Sequence, residues 1–187
     1  MTSAARQRVV SQLIAAARPL FAEKGPSRVS LREIAAAAKV NYGLIHQYIG
    51  SKDDLLKLVL QQASVDWADM FAEATSAEDA MTHIMKPKSS EYARIVAQAV
   101  LDGKAPETLL GKSPALTELS RRLRDEIEPT RSTEDDTRLR VAAITGLSLG
   151  WGLFGKYVQE IAGLGDLPED DVTEAVYALL RRSIVSN

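Results

Sequence analysis

The segment Ser30-Leu-Arg-Glu-Ile-Ala-Ala-Ala-Ala-Lys-Val-Asn-Tyr-Gly-Leu-Ile-His-Gln-Tyr-Ile49 reads as two short amphipathic helices and the turn between them. Ser30 and Glu33 stand at the spacing at which each side chain satisfies the other's free backbone N–H at a helix start. Val29 and Ile34 flank that box at the positions of a hydrophobic staple. Leu31, Ile34, Ala35 and Ala38 recur at helical spacing and predict the inward side of the first helix. Asn41 suits the N-cap of the second helix, with Val40 and Ile45 as its staple. Ile45 and Ile49 then face inward, which leaves Tyr42, Gly43, Leu44, His46, Gln47 and Tyr48 largely outside. A surface of Tyr, His and Gln without one acid is unusual for a face that only meets water. Gln and His can hydrogen-bond base edges, a Tyr hydroxyl can bond a phosphate, and Leu44 can touch a thymine methyl. A DNA major groove admits one helix of this size.

The flanks extend the pattern. Val10, Leu13, Ile14, Ala17, Leu20 and Phe21 share one face of a preceding helix, which Gly25 and Pro26 stop. Ser51 with Asp54 caps a longer helix through Leu55, Leu56, Val59 and Leu60 to about residue 72. Two short helices joined by a tight turn between two longer ones is a helix-turn-helix layout. Further on, Ser76 and Asp79 open a short helix that Pro87 closes, and Tyr92, Ile95, Val96, Ala99 and Val100 line another. Residues 103–113 read as irregular, residues 114–128 as a charged amphipathic helix. Two final helices, from 135 to about 162 and from 169 to about 185, are separated by Gly163, Gly165 and Pro168. The fold class expected is all-α, about nine helices, with a helix-turn-helix domain over 1–51 and a second helical domain over 52–187. The helix from residue 52 connects the two.

Composition agrees with a folded chain: 45% of the 187 residues are hydrophobic and 26% charged, ordinary for a globular protein. The net charge of −2 is unevenly placed. Residues 1–56 hold eight Lys/Arg against four Asp/Glu, a local charge of +4, which leaves −6 for the rest. A basic head on an acidic body fits a head that meets a polyanion. Arg6 and Arg8 before an apolar run imitate a targeting segment, but Ser11, Gln12 and Arg18 interrupt it, a poor fit to a secretory signal. No apolar run approaches the length of a membrane span, so a cytoplasmic location is expected.

At this point the chain resembles the TetR family of transcriptional regulators. The resemblance rests on Leu20-Phe21-Ala22-Glu23-Lys24-Gly25, Leu31-Arg32-Glu33-Ile34-Ala35, Val40-Asn41-Tyr42-Gly43-Leu44-Ile45 and Ser51-Lys52-Asp53-Asp54-Leu55-Leu56, in order and at family spacing. By position it implies DNA contacts for Arg32, for Asn41, Tyr42, Gly43 and Leu44 at the recognition-helix N-terminus, for His46, Gln47 and Tyr48 facing the groove, and for Lys52 on a phosphate. It also implies that the last two helices pair with their copies in a homodimer that reads a palindromic operator in double-stranded DNA. Inner helices would line a pocket for a hydrophobic or amphipathic effector. Candidates there are Trp67, Met70, Phe71, Met81, Met85, Tyr92, Ile95, Trp151 and Phe154, with His83, Arg94 and Gln98 as polar partners. The chain departs from the family at Lys39, where Gly is usual; a positive φ there would strain a Lys.

Other motifs dissolve on inspection. Gly150-Trp-Gly-Leu-Phe-Gly155 matches a dinucleotide fingerprint but lacks the strand and βαβ unit that such a site needs. Gly146, Ser148 and Gly150 read instead as small residues that let helices approach closely. Gly111-Lys-Ser113 lacks the first glycine of a phosphate loop. Asp135/Asp136 and Asp170/Asp171 read as charges favoured by helix dipoles. With no Cys and two His, no metal-ligand spacing or catalytic constellation is present, and no cofactor is expected. The reading is a repressor released from DNA by a small molecule, not an enzyme. The alternative is a helical dimeric interaction protein whose helix-turn-helix does not read DNA sequence.

Overall fold

A computed structural model describes residues 3–83, 88–104, 111, 113–127 and 133–185. Among them are nine helices and no strand: α1 (Ser3–Lys24), α2 (Leu31–Ala37), α3 (Tyr42–Tyr48), α4 (Lys52–Glu73), α5 (Ala77–His83), α6 (Lys88–Leu101), α7 (Pro114–Ile127), α8 (Glu134–Ile161) and α9 (Glu169–Val185). The all-α expectation is met. Pro87, expected to close α5, lies outside the described residues.

The helix starts form by the capping chemistry their sequences carry. Ser30 Oγ accepts the Glu33 N–H at 3.2 Å, and Glu33 Oε2 accepts the Ser30 N–H at 3.4 Å. Asn41 Oδ1 accepts the Gly43 N–H at 2.9 Å. The Asp54 N–H donates to Ser51 Oγ at 3.1 Å, and the Ser51 N–H returns to Asp54 Oδ2 at 3.0 Å. A further box opens α8, where the Asp136 N–H donates to Thr133 Oγ1 at 3.2 Å and the Thr133 N–H to Asp136 Oδ2 at 3.0 Å. Asp136 is thus a reciprocal cap, a more specific role than the dipole charge read from sequence.

The chain divides into two compact units, one of residues 1–63 and 94–112, the other of 64–93 and 113–187. In the first, Leu13, Ala17 and Phe21 of α1, Val29, Ile34 and Ala35 around α2, Ile45 of α3, and Leu55, Leu56, Val59 and Leu60 of α4 are buried. Ile95 and Ala99 of α6 are buried as well. Each large side chain so removed from water contributes about 1.5–3 kcal/mol. Gly25 ends α1 with φ +84°, and a Cβ there would stand 3.0 Å from Gln98 Oε1. The left-handed turn favours glycine, and a Cβ there would oblige the Gln98 side chain to shift.

In the second unit Phe71, Ala74, Ala77, Ala80, Met81, Ala115, Leu119, Leu123, Val141 and Ile144 form a core, with Trp67 and Leu180 packed against it. A polar tie joins three helices at its edge. The buried Arg122 of α7 donates to the Ala72 carbonyl at the end of α4 at 2.7 Å and to Glu118 and Glu126 at 3.3 Å each. Glu126 in turn accepts the Ala77 N–H at the start of α5. One ion pair thus satisfies an orphan carbonyl and an orphan N–H of two consecutive helix ends. Trp151 Nε1 donates to Thr173 Oγ1 at 2.9 Å, pinning α8 to α9. Gln159 Nε2 holds the turn between them by donating to the Leu164 and Leu167 carbonyls at 3.0 and 2.8 Å.

The small residues of α8 divide. Ser148 is buried and meets the Tyr177 hydroxyl of α9, whereas a Cβ at Gly146 or Gly150 would meet nothing within 4 Å among the described residues. At Gly155 it would stand 3.1 Å from the Trp151 ring. That glycine makes room for the indole and not for a nucleotide.

The carboxylates of the caps make stability depend on acid in a defined direction. Hydrogen bonds from Ser51 lower the Asp54 pKa, and bonds from the Thr133 backbone and side chain lower that of Asp136, both from an ordinary 3.8. A depressed folded-state value means that unfolding takes up a proton. The stabilisation is therefore complete above the ordinary value and lost as pH falls through the folded one. Asp136→Asn should melt below the unmodified protein at pH 7, and the gap should close as pH falls below 3.8 in thermal scans. A constant gap would remove the carboxylate charge from the cap's stabilising role.

Candidate nucleic-acid interface

The exposed side of α3 is built from its cap outward. Asn41 fixes the first turn, and Ile45, fully buried, anchors the helix to the first unit's core. Helical spacing then sends Gly43 and Gln47 outward; Tyr42 in the first turn and His46 are exposed as well, while Leu44 and Tyr48 are half-buried. A Cβ at Gly43 would come 3.3 Å from Asn41 Oδ1, crowding the cap.

The polar side chains on this face are linked. Tyr42 Oη lies 3.0 Å from His46 Nε2, with the rings edge to face at 5.1 Å between centroids. Arg32 of α2 places its guanidinium carbon 5.6 Å from the Tyr42 ring centroid, within cation–π range. At the other end, Arg6 of α1 sits 5.9 Å over the Tyr48 ring and donates to the Tyr48 carbonyl at 3.4 Å. The sequence marks Arg6 only by the acid-free, Arg-containing stretch before Glu23 and gives no contact for it.

Electrostatics favour an anion here. Glu33 Oε1 accepts Lys24 Nζ at 2.6 Å, and Asp53 accepts Lys104 Nζ at 2.6 Å. Lys24 chiefly, then Ser30, holds the Glu33 carboxyl below its ordinary range. Asp54 is engaged with Ser51. Three of the head's four acids are thereby matched, while Arg6, Arg32 and Lys39 stand exposed.

Lys52 is placed differently from the other candidates. Its ammonium donates to the Ser27 and Val29 carbonyls at 3.0 and 3.1 Å. Two of its three protons tie the α1–α2 loop to the start of α4, and one is left for an outside acceptor.

The effector candidates are dispersed between the two units. Phe71 is core, with Trp67 edge-to-face on it at 5.7 Å, and Met81 is buried beside them. Met70, His83 and Tyr92 are half-buried in the same unit. His83 Nδ1 is buried without a hydrogen-bond partner among the described residues, and burial pushes the Tyr92 hydroxyl up to about 12. Trp151 is engaged with Thr173, and Phe154 is 59% exposed. Ile95, Gln98 and the exposed Arg94 belong to the first unit, with Gln98 against Gly25. Met85 lies outside the described residues.

Residues 13–59 match the family described as bacterial regulatory proteins, tetR family. Over 171 residues the chain is 31% identical to the HTH-type transcriptional repressor Rv3405c of Mycobacterium tuberculosis, covering 91% of this chain and 86% of that protein. The chain belongs to the TetR family. The HTH-type transcriptional regulator HbdR of an Aromatoleum species is 50% identical over 50 residues, 27% of this chain and 22% of that one. The fatty acid degradation regulator FadR of Bacillus halodurans shares the fold, with a TM-score of 0.67, 24% identity and coverage of 91% and 93% of the two chains. This TetR-family protein is a transcriptional regulator and not an enzyme. Among the described residues no cluster of His, Asp and Glu could hold a metal ion, and no helix is long and apolar enough to cross a membrane.

The turn between α2 and α3 carries the family departure in its backbone. Lys39 has φ +54°, the only non-glycine among the described residues with positive φ. A left-handed conformation costs an L-residue about 1–2 kcal/mol. Lys39→Gly should raise the stability of the DNA-free protein by about 1 kcal/mol, a melting rise of about 2–4 °C. Calorimetry showing no rise would mean that the turn is not strained.

Proposed function

We propose that this TetR-family regulator is a homodimeric, sequence-specific repressor of the cytoplasm that leaves a palindromic operator when a hydrophobic or amphipathic small molecule binds it. Residues 1–51 are its DNA-reading head and residues 52–187 its effector and dimerisation body, with α4 connecting them. The observation that carries the reading is the acid-free outer face of α3, where exposed Tyr42, His46 and Gln47 are flanked by Arg32 and Arg6. Arginines suit phosphates, which position the helix, and Gln and His suit base edges, which select the site. Repression is supported by the name of the mycobacterial relative.

A second copy is supported by apolar surface. Phe154, Tyr157, Val158 and Ile161 recur at helical spacing on α8 and are exposed, as are Leu139 of α8 and Leu179 of α9. A continuous apolar stripe of this kind favours burial against a partner. Two copies about a two-fold axis also match two operator half-sites. For the effector, Met70, His83 and Tyr92 offer large apolar area with few polar atoms, the usual make-up of a small-molecule site. Both α4 and α6 contribute residues to each unit, so a ligand that prefers one setting of these helices biases the head. A preference of about 1–3 kcal/mol changes DNA affinity about 5–150-fold.

Selection of bound fragments from genomic DNA tests the reading. The protein should enrich one set of related sites at moderate ionic strength, and uniform capture would overturn it. On such a site Gln47→Ala should weaken binding about tenfold while leaving random DNA nearly unaffected, by competition binding. Equal losses would remove Gln47 from base reading. The double substitution Phe154→Glu with Ile161→Glu should give monomers in sedimentation with helical content retained. A persistent dimer would place the interface elsewhere.

A further inference from the structure

Three groups on the reading face form one chain: the Arg32 guanidinium over the Tyr42 ring, and the Tyr42 hydroxyl against His46 Nε2 at 3.0 Å. The chemistry of that chain restricts what His46 can read. A neutral imidazole has one N–H and one lone pair, so whichever role Nε2 takes in the bond to Tyr42, Nδ1 takes the other. A phenol has a single proton. If Tyr42 donates it to a phosphate, Nε2 must donate to the phenol oxygen, and Nδ1 is left as an acceptor. If Tyr42 donates to Nε2, Nδ1 is left as a donor.

We infer that Tyr42 is a positioning residue that donates its proton to His46 Nε2, so that His46 presents an Nδ1–H donor to the major groove. This rests on the DNA-reading role proposed for α3. Two features favour this direction. A phenol O–H is a better hydrogen-bond donor than the N–H of a neutral imidazole, and the imidazole lone pair is a better acceptor than a phenol oxygen. Arg32, exposed beside it, supplies the fork of donors that a phosphate needs, so the hydroxyl is not required there. The edge-to-face packing of the two rings at 88° holds the imidazole in one orientation.

The base preference follows. An outward donor matches N7 or O6 of guanine, N7 of adenine or O4 of thymine, and opposes the N4 amine of cytosine. His46 and Tyr42 then act as one unit: loss of the phenol hydroxyl frees the imidazole to change tautomer, and cytosine ceases to be excluded.

Two measurements test this on the full-length protein. Nitrogen-15 NMR of the ring nitrogens without DNA should show His46 Nδ1 protonated, and Tyr42→Phe should shift the population towards Nε2–H. Protonation at Nε2 in the unmodified protein would overturn the assignment. Binding to the selected genomic site, with each base pair replaced in turn, should show one position at which cytosine costs about tenfold. Both Tyr42→Phe and His46→Ala should abolish that penalty, and the double variant should be no worse than His46→Ala alone. Uniform, additive losses on all DNA would make Tyr42 a phosphate ligand and overturn the inference. Failure of the unmodified protein to select any site would instead count against the DNA-reading role, with the NMR result still deciding the proton's position.

Discussion

Two helices of seven residues, α2 and α3, lie well below the length at which a helix persists alone in water. Their existence depends on one constraint, the burial of Ile34 and Ile45 on helices that pack against α1 and against each other. Everything functional about the head follows from it. With Ile45 fixed inward, the 3.6-residue repeat turns Gly43 and Gln47 outward and His46 to the side, while Tyr42 is exposed at the first position of the helix. The caps at Ser30 and Asn41 add modest energy but set where each helix begins, and therefore which side chains meet the outside. The same burial lets α3 present a rigid surface although most of its own atoms touch no core.

The positive character of that surface is a matter of pairing as much as of counting. Lys24, Lys104 and the Ser51 turn each occupy one of the head's carboxylates. Arg32 and Arg6 are laid on aromatic rings, which restrains their planes and leaves their charge unneutralised. The result is a basic rim around the face of Tyr42, His46 and Gln47, the arrangement on which the proposed reading of DNA rests.

The fold was legible because helix starts are local: Ser30 with Glu33, Asn41, and Ser51 with Asp54 each announce a boundary from adjacent residues. The outward set on α3 was legible for the same reason, since period and buried partners determine it. Contacts between distant segments were not. Nothing in the sequence says that Lys52 reaches the Ser27 carbonyl, that Arg6 lies on Tyr48, or that Gln98 abuts Gly25. Trp151 shows the limit clearly, because a large aromatic on a mixed helix fits a pocket as well as a helix joint, and only the position of Thr173 decides. Thr133 with Asp136 was missed for a smaller reason: the shorter Asp stands where a box usually has Glu, yet it reaches the same N–H.

The Arg122 tie bears on how the second unit comes apart. Helix ends ordinarily fray first, because their last carbonyls and first amides bond only to water. Here the end of α4 and the start of α5 are clamped by the buried Arg122 guanidinium and its partner carboxylate Glu126, both from the C-terminal half of α7. The corner between them is thereby joined to a third helix. A bend that by its position should be a point of weakness, open to proteases and to exchange with solvent, is held on both sides by one side-chain pair, so that opening it means breaking the pair as well.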